Sequence, residues 1–328
     1  IKGRTTVSVF EGEVQAASTF ASPGTPATLL TQGQAASASS ASTQIATADY
    51  QPQRFAAVPE GYQSPDYVLA YWRFEEGTPG NKVHHASGKN ADFSKPGVID
   101  HSGQGNSLYS YSVASNPGFS DKVPTRIIPQ TGQLNRVVLD DTAIPPKNVI
   151  NLFTHPTAST ARRPVESVEL NQWTIEASVK PASLDGEQAF VSSYNRNTAD
   201  EQGLLFGLRD GRLFVSVDDD SGQLREVVSP QTIDTDRWVH VAATCDGQTL
   251  SLYAKSAGDA TYRLLGQTNV DRAMTSRAAD LDAVPHSEWG FAIGSARVTK
   301  DARALIDEVR ISDKALAIDQ LLFSEPNP

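Results

Sequence analysis

The chain has 328 residues, with 28 Lys and Arg against 38 Asp and Glu, and a formal net charge of −10. Nucleic acids and acidic membranes bind basic faces, so we expect no nucleic-acid partner. No apolar run approaches the roughly 18 residues of a membrane span, so we expect no membrane insertion. The single Cys excludes a disulfide scaffold and a Cys-based zinc site. Because the sequence begins at Ile1 rather than Met, we expect a processed or trimmed piece of a longer chain.

The first segment, residues 1–59, combines short β signals with a low-complexity stretch. Residues 6–14 alternate apolar and polar side chains around Glu11 and Gly12, which predicts a hairpin or a bent strand. Residues 16–50 are largely Ala, Ser and Thr and predict a flexible tether. Within that tether, residues 27–34 predict one short strand and a turn.

The second segment, residues 60–328, carries many short strand signals and few helical ones. Asp210-Gly211 and Asp246-Gly247 each separate two alternating runs, which predicts two tight hairpins. One helical turn is predicted near the C-terminus, within residues 315–323. This pattern predicts an all-β, antiparallel β-sandwich preceded by a short N-terminal β segment and a linker. The predicted strands cover residues 67–74, 173–180, 203–209, 212–217, 238–244, 249–254, 289–295 and 304–311.

Two stretches of the first segment resemble the later part of a FecR-type domain, a short β-repeat module of bacterial envelope proteins. They are residues 7–14 and the Leu-x-x-Gly-Gln turn at residues 30–34. The first half of such a domain is not present in the sequence. The resemblance implies that another chain completes the module or that the module was cut.

The second segment resembles a laminin-G-like jelly roll of the concanavalin A type over most of residues 66–323. It departs from the pattern by an insertion at residues 80–97 and by a long, Pro-rich stretch at residues 109–171. The resemblance implies a binding or adhesion domain of a secreted or cell-surface protein. The matching motifs are residues 70–76, 100–106, 173–181, 238–247, 291–295 and 306–312.

The resemblance also implies a structural Ca²⁺ ion near the N- and C-terminal strands. Asp100 and Asp307 match the family positions, and Glu75 and Asn106 are placed to add oxygen ligands. Calcium binds six to eight such hard oxygens. The alternative is an Asx-type turn at Asp100 with Asp307 in a local ion pair.

Sugar binding on a β-sandwich usually needs exposed aromatic platforms. All four Trp residues fall on family positions that pack the core or its rim, so we expect no Trp platform. The candidate ligand-binding residues are therefore tyrosines in irregular segments, and ordinary loop packing is the alternative. The tryptophans are Trp72, Trp173, Trp238 and Trp289, and the candidate tyrosines are Tyr109, Tyr111 and Tyr194.

Other chemistry-bearing patterns have simpler interpretations. Residues 218–222 predict a solvated hairpin tip, and the pair His84-His85 predicts an exposed loop. His240 is expected to pack on its strand, and Cys245 is expected to be a small buried residue. The sequence contains no Gly-x-Ser-x-Gly elbow, His-Glu-x-x-His motif or P-loop, so we expect no enzyme.

We therefore expect a non-enzymatic, secreted or surface-exposed bacterial protein for adhesion, recognition or extracellular assembly. An alternating strand without its own domain is a template for strand addition, so the N-terminal strand is a candidate joint for self-association. Its apolar residues are Val7, Val9, Phe10 and Val14. The alternative function is a carbohydrate-binding module of a larger polysaccharide-degrading or signalling protein. A glycosidase or lyase is a third possibility and needs carboxylates clustered on a concave sheet face.

Overall fold

The chain divides into two compact units, Ile1–Tyr62 and Gln63–Pro328, and each is described by itself. The domain boundary expected near residue 60 stays a prediction. The computed structural model describes residues 4–8, 13–16, 28–31, 34–39, 46–48, 63–84, 95–110, 117–142, 152–154, 161–165, 170–195, 202–219, 223–271, 289–296 and 300–325.

The first unit contains two small antiparallel sheets. Three strands, β1 (Arg4–Ser8), β4 (Ala35–Ser39) and β5 (Ala46–Ala48), form one sheet in the order β1-β4-β5. The strands β2 (Glu13–Ala16) and β3 (Thr28–Thr31) form the other. Because β1 and β2 belong to different sheets, the predicted hairpin between them is wrong.

The expected tether therefore contains ordered strands. The strand and turn expected at residues 27–34 are confirmed, since the Thr31 amide donates to Oε1 of Gln34 at 2.9 Å and the Gln34 amide donates to the Thr31 carbonyl at 3.0 Å. Small side chains do not prevent pairing here, because β1 supplies β4 with a complete backbone partner.

The N-terminal strand was expected to lack a partner within its own chain, and this expectation is wrong. Val7 of β1 pairs with Ala36 of β4. Val14 lies on β2 opposite Leu30. Val9 and Phe10 lie outside the described residues. β1 is nevertheless the end strand of its three-stranded sheet.

In its described residues, the second unit is a sandwich of two eight-stranded sheets, which we call sheet I and sheet II. Sheet I contains β6 (Val68–Trp72), β8 (Gly118–Ser120), β9 (Val138–Asp140), β11 (Trp173–Pro181), β16 (Val239–Cys245), β17 (Thr249–Ser256), β18 (Arg263–Asn269) and β21 (Ala304–Ser312). Sheet II contains β7 (Leu108–Tyr109), β10 (Leu152–Thr154), β12 (Glu187–Asn195), β13 (Gln202–Arg209), β14 (Arg212–Asp218), β15 (Leu224–Thr232), β19 (Trp289–Ile293) and β20 (Lys300–Asp301).

The strand orders confirm the predicted antiparallel sandwich. Sheet I runs β18-β17-β16-β11-β21-β9-β8, with β6 also paired to β21, and sheet II runs β15-β14-β13-β12-β19-β10-β7, with β20 beside β12. Only β20 pairs in parallel among the described strands. Both predicted hairpins are present. The tip of the first has φ of 48° at Asp210 and 77° at Gly211, the left-handed pair that a tight turn requires.

The core lies between the sheets because strand residues alternate between two faces. On β11, Trp173, Ile175, Ala177 and Val179 point into the core, and all four are buried. The residues between them point to the outer face of sheet I. That outer face carries polar and charged side chains, and it positions the site described below.

Eight described strands of the second unit were not predicted from the sequence. They are β7, β8, β9, β10, β12, β15, β18 and β20. One helical turn was predicted within residues 315–323, and the structure forms a 3₁₀ turn at Ile318–Gln320, followed by an extended conformation at Leu321 with φ −72° and ψ 146°. The backbone groups after Gln320 bond to sheet I, as shown below.

Candidate functional site

A pocket of about 320 Å³ opens on the outer face of sheet I. Its floor comes from β11, β16 and β17, and its walls come from the turn after β17, the loop before β9 and the C-terminal segment. The pocket therefore combines rings with polar groups. The lining residues are Pro124, Thr125, Pro129, Ser178, Trp238, His240, Lys255, Ser256, Ala257, Gly258, Asp259, Phe323 and Glu325.

Aromatic rings form one side of this pocket. The ring of His240 stacks on the ring of Phe323, with centroids 3.9 Å apart and planes 28° apart. Trp238 also lines the pocket and is only partly buried. Trp72 and Trp173 are fully buried, as expected for core positions, whereas the expected packing of Trp238 at the core or its rim stays a prediction. The side chain of Trp289 lies outside the described residues.

A buried polar network supports His240 from beneath. Nδ1 of His240 lies 2.6 Å from Oγ of Ser178, and Nε2 lies 3.3 Å from Oε2 of Glu176. An ionised carboxylate only accepts hydrogen bonds, so the neutral imidazole carries its proton on Nε2 and Nδ1 accepts from Ser178. Arg310 Nε donates to Oε1 of Glu176 at 2.7 Å. These side chains face outward because their positions alternate with core residues on β11, β16 and β21.

Burial and charge set the ionisation of this network. Burial alone would raise the pKa of Glu176, but the Arg310 guanidinium and the hydrogen bonds from His240 and the Leu322 amide outweigh it and hold the pKa below its ordinary value. Burial lowers the pKa of His240, and attraction to Glu176 offsets only part of that effect. The network thus holds an ionised Glu176 and a neutral His240 at neutral pH.

The C-terminal strap, residues 314–325, is fastened to sheet I by side chains of this network. The Leu322 amide donates to Oε2 of Glu176 at 2.8 Å, and Nζ of Lys255 donates to the Phe323 carbonyl at 2.6 Å. Arg310 donates to the Gln320 carbonyl at 2.9 Å. Because Phe323 is a wall of the pocket, the buried charges hold that wall in place.

The loop before β9 also binds the strap. Nε2 of Gln130 donates to the carbonyls of Asp319 and Ser324, both at 2.9 Å. The Gln130 amide donates to the Leu322 carbonyl at 3.1 Å. This loop belongs to the long stretch 109–171, so that stretch builds part of the pocket.

We expect acid to destabilise the fold through His240. The groups that face this imidazole are Glu176, Arg310, Lys255 and Tyr262. Because the folded state holds His240 neutral, the unfolded chain takes up the proton first as the pH falls below about 6.5, the ordinary His pKa. The free energy of unfolding should therefore decrease as the pH falls below about 6.5, as measured by urea unfolding.

Two variants separate His240 from the other titrating groups. His240→Gln should remove most of this pH-dependent decrease. The exposed His101, which lies 3.2 Å from Glu76, provides the matched control, and His101→Gln should keep the decrease. An unchanged pH dependence in His240→Gln would contradict the assignment.

The predicted tyrosine ligands do not lie in this pocket. Tyr109 is on β7 of sheet II and is 6% exposed, and burial raises the pKa of its hydroxyl. Such burial does not favour an exposed platform. Tyr111 and the side chain of Tyr194 lie outside the described residues. A sugar contact at these three residues stays a prediction.

The predicted calcium ligands fall into two groups. Asp100 organises a turn: its Oδ1 accepts from the Tyr71 and Ser102 amides, and its Oδ2 accepts from the Ser102 hydroxyl and the amides of Gly105 and Asn106. This geometry is the Asx-type alternative.

The side chain of Asn106 makes three hydrogen bonds within the protein. Its Nδ2 donates to the carbonyls of Leu69 and Arg163, and its Oδ1 accepts from the amide of Val165.

Asp307 and Glu75 belong to a second, buried acidic group. Burial and the charge of Glu308 raise the pKa of Asp307 well above its ordinary value, and burial raises the pKa of Glu75. Nδ2 of Asn135 donates to Oδ2 of Asp307 at 2.7 Å. Oδ1 of Asp307 and Oδ1 of Asn135 are buried and accept no hydrogen bond. Both atoms are oxygens of the kind that hard cations bind, although no group of three His, Cys, Asp or Glu side chains in the described ranges could hold a metal.

The remaining candidates have structural roles. Cys245 is a fully buried core residue, as expected. Asp219 closes the tip between β14 and β15, where its Oδ1 accepts from the Gln223 amide and its Oδ2 from Arg225. Asp219 is buried, and residues 220–222 of the expected solvated tip lie outside the described residues. His84 is exposed, and His85 lies outside the described residues.

The two antiparallel sheets define a jelly-roll sandwich. Residues 156–321 match the family model of the concanavalin A-like lectin/glucanases superfamily, and the chain belongs to this superfamily. The FecR-like resemblance of the first unit stays a prediction. A search of curated proteins found no match. In the part of the chain that the structure describes, no helix has the length and apolar character to cross a membrane.

Several solved structures are similar to this chain. The binding domain of Paraclostridial mosquitocidal protein 1 is 15% identical, with a TM-score of 0.46 over 79% of this chain and 52% of that chain. Domain 4 of the extracellular arabinanase AbnA from Geobacillus stearothermophilus, solved with arabinotriose, is 14% identical, with a TM-score of 0.45 over 77% and 95%. The sialidase module CBM40 of Ruminococcus gnavus, bound to α2,3-sialyllactose, is 17% identical, with a TM-score of 0.38 over 50% and 85%. This chain spans about half the length of the first structure.

Proposed function

We propose that the second unit is a non-enzymatic carbohydrate-binding module and that the pocket around Trp238 is its sugar site. The observation that carries this proposal is the pocket itself, where Trp238 and the stacked rings of His240 and Phe323 stand beside polar groups. A sugar ring presents C–H groups to aromatic faces and hydroxyls to hydrogen-bonding side chains. The pocket volume lies at the lower end of the roughly 300–1,000 Å³ of small-molecule sites, which suits one or two sugar rings.

The carboxylate beneath the pocket supports binding rather than catalysis. Glu176 is fully buried and is occupied by Arg310, His240 and the Leu322 amide. A general acid or base must reach the proton that it transfers, within about 3.2 Å or through one water. Glu176 instead helps to hold Phe323, a wall of the pocket, in place through the Leu322 amide, and we propose that the unit binds glycans without cleaving them.

A glycan panel tests this proposal. The full chain is applied to immobilised plant, bacterial and animal oligosaccharides, and the same sugars are checked for cleavage by mass spectrometry. We expect saturable binding to a subset of sugars and no cleavage products. An absence of binding across the panel would contradict the sugar site, and cleavage products would contradict the non-enzymatic role.

We also propose that the protein is secreted or surface-exposed in a bacterial envelope, with residues 1–59 as a FecR-like β segment and residues 60–328 as the laminin-G-like domain.

A second candidate function is self-association through β1, because β1 ends a three-stranded sheet and edge strands accept further strands. We expect a native mass above one chain by light scattering, and a lower mass on deleting residues 1–14. A monomer at every concentration would contradict self-association.

We retain calcium as a proposal, with Asp307, Asn135 and Glu75 as the residues that would hold it through their oxygens. Calcium at a free concentration of one hundred times its Kd would stabilise the folded state by about 2.7 kcal/mol. The Tm of the chain should therefore be higher with Ca²⁺ than with a chelator. Asp307→Asn should remove this difference, and Asp185→Asn, at an exposed position, should keep it. Equal Tm values with Ca²⁺ and chelator in the unchanged chain would contradict the proposal.

A further inference from the structure

Three side-chain donors that line the pocket make hydrogen bonds within the protein. The Thr125 hydroxyl donates to the Ile127 carbonyl at 3.1 Å, and the Lys255 ammonium donates to the Phe323 carbonyl at 2.6 Å. The Ser178 hydroxyl donates to Nδ1 of His240, since the imidazole proton lies on Nε2. The hydroxyl protons of Thr125 and Ser178 are therefore used within the protein, and one of the three N–H groups of Lys255 is also used.

The acceptors that line the pocket are largely available. Asp259 and Glu325 are exposed at the rim. Oδ2 of Asp259 accepts from the Ser256 amide at 3.0 Å, which orients this carboxylate on the turn after β17. An ionised carboxylate has about four lone-pair sites, so both groups retain capacity for ligand hydroxyls. Of the charged side chains that line the pocket, two are acidic, and one, Lys255, is basic.

From this acceptor-rich lining we propose that the pocket selects neutral, hydroxyl-rich sugars and rejects sugars that carry a carboxylate, with Asp259 and Glu325 as the residues that determine this specificity. The inference rests on the proposed function of the same pocket. Sugar hydroxyls can donate to both rim carboxylates while the ring packs on Trp238. A uronic or sialic acid would instead place its own carboxylate, which only accepts, against two negative charges in a chain of net charge −10.

A charge reversal at the rim tests the specificity. The full chain is titrated with a neutral oligosaccharide that binds and with its counterpart in which one ring is a uronic acid. We expect the neutral sugar to bind at least about tenfold more tightly, which corresponds to about 1.4 kcal/mol. Glu325→Lys, at an exposed position, should narrow this preference at low salt. High salt should reduce both the preference of the unchanged chain and its difference from the variant, because exposed charges are screened. Glu325→Gln is the matched control for loss of the negative charge alone.

The outcomes separate this inference from the proposed function. Binding of neither sugar, when the wider panel is also negative, would overturn the sugar site itself. Equal or tighter binding of the acidic sugar by the unchanged chain would overturn the specificity while leaving the sugar site in place. An unchanged preference in Glu325→Lys would remove Glu325 from the specificity-determining residues.

Discussion

Glu176→Ala should lower the free energy of unfolding by about 3–5 kcal/mol, the usual cost of breaking a buried ion pair from one side. The substitution leaves the Arg310 guanidinium buried without its carboxylate and removes the acceptor for His240 and for the Leu322 amide. The C-terminal strap should also be held less firmly on sheet I, because the Leu322 amide loses its hydrogen bond to Glu176. Urea unfolding followed by Trp fluorescence measures the change.

A surface pair supplies the control for this result. Arg209 donates to Glu187 at 2.6 Å, and both side chains are about one-third exposed. Glu187→Ala should therefore cost less than about 1 kcal/mol. If Glu176→Ala does not accumulate, Glu176→Gln keeps the shape of the side chain and allows the same comparison. Equal midpoints for the Glu176 and Glu187 variants would contradict the fastening role.

Trp238→Ala should weaken sugar binding by at least about 30-fold, or about 2 kcal/mol, the size expected for a central aromatic contact. The fold should be little affected, because Trp238 is only partly buried, whereas Trp72 and Trp173 are fully buried. Isothermal titration with the best sugar of the panel measures the affinity, and thermal unfolding checks the fold.

Two further variants show whether the loss is specific to the ring. Trp238→Phe keeps an aromatic face and should retain most of the affinity. Leu264 lies on β18, is not among the lining residues and is 49% exposed, so Leu264→Ala should bind normally. Unchanged binding by Trp238→Ala would contradict the placement of the sugar site.

Local sequence signals predicted most of the central strands and both tight turns of the sandwich, although β12, which is central in sheet II, was not predicted. The Asp210-Gly211 turn and the alternation of β11 each follow from short-range chemistry. The edge strands β15 and β18 escaped prediction because Pro230, Gly266 and largely exposed patterns weaken their strand signal. The path of the chain after Gln320 was not predicted, because the side chains that bind it, Glu176, Lys255 and Gln130, are distant in the sequence.

The pocket could not be predicted because its parts are far apart in the chain. Trp238 sits on a family motif that favours packing, and only the structure places it beside Phe323 and the loop that carries Pro129. The polar outer face of β11 could be predicted from the sequence, since Glu176 and Ser178 alternate with apolar residues. Nothing local to these residues indicates that a C-terminal strap covers them.

A crystal structure of the chain with the neutral oligosaccharide that binds best would test the sugar site most directly. We predict a sugar ring on Trp238, close to Phe323, with hydroxyls donating to Asp259 and Glu325. A sugar bound elsewhere, for example on sheet II near Tyr109, with the Trp238 pocket empty, would contradict this account.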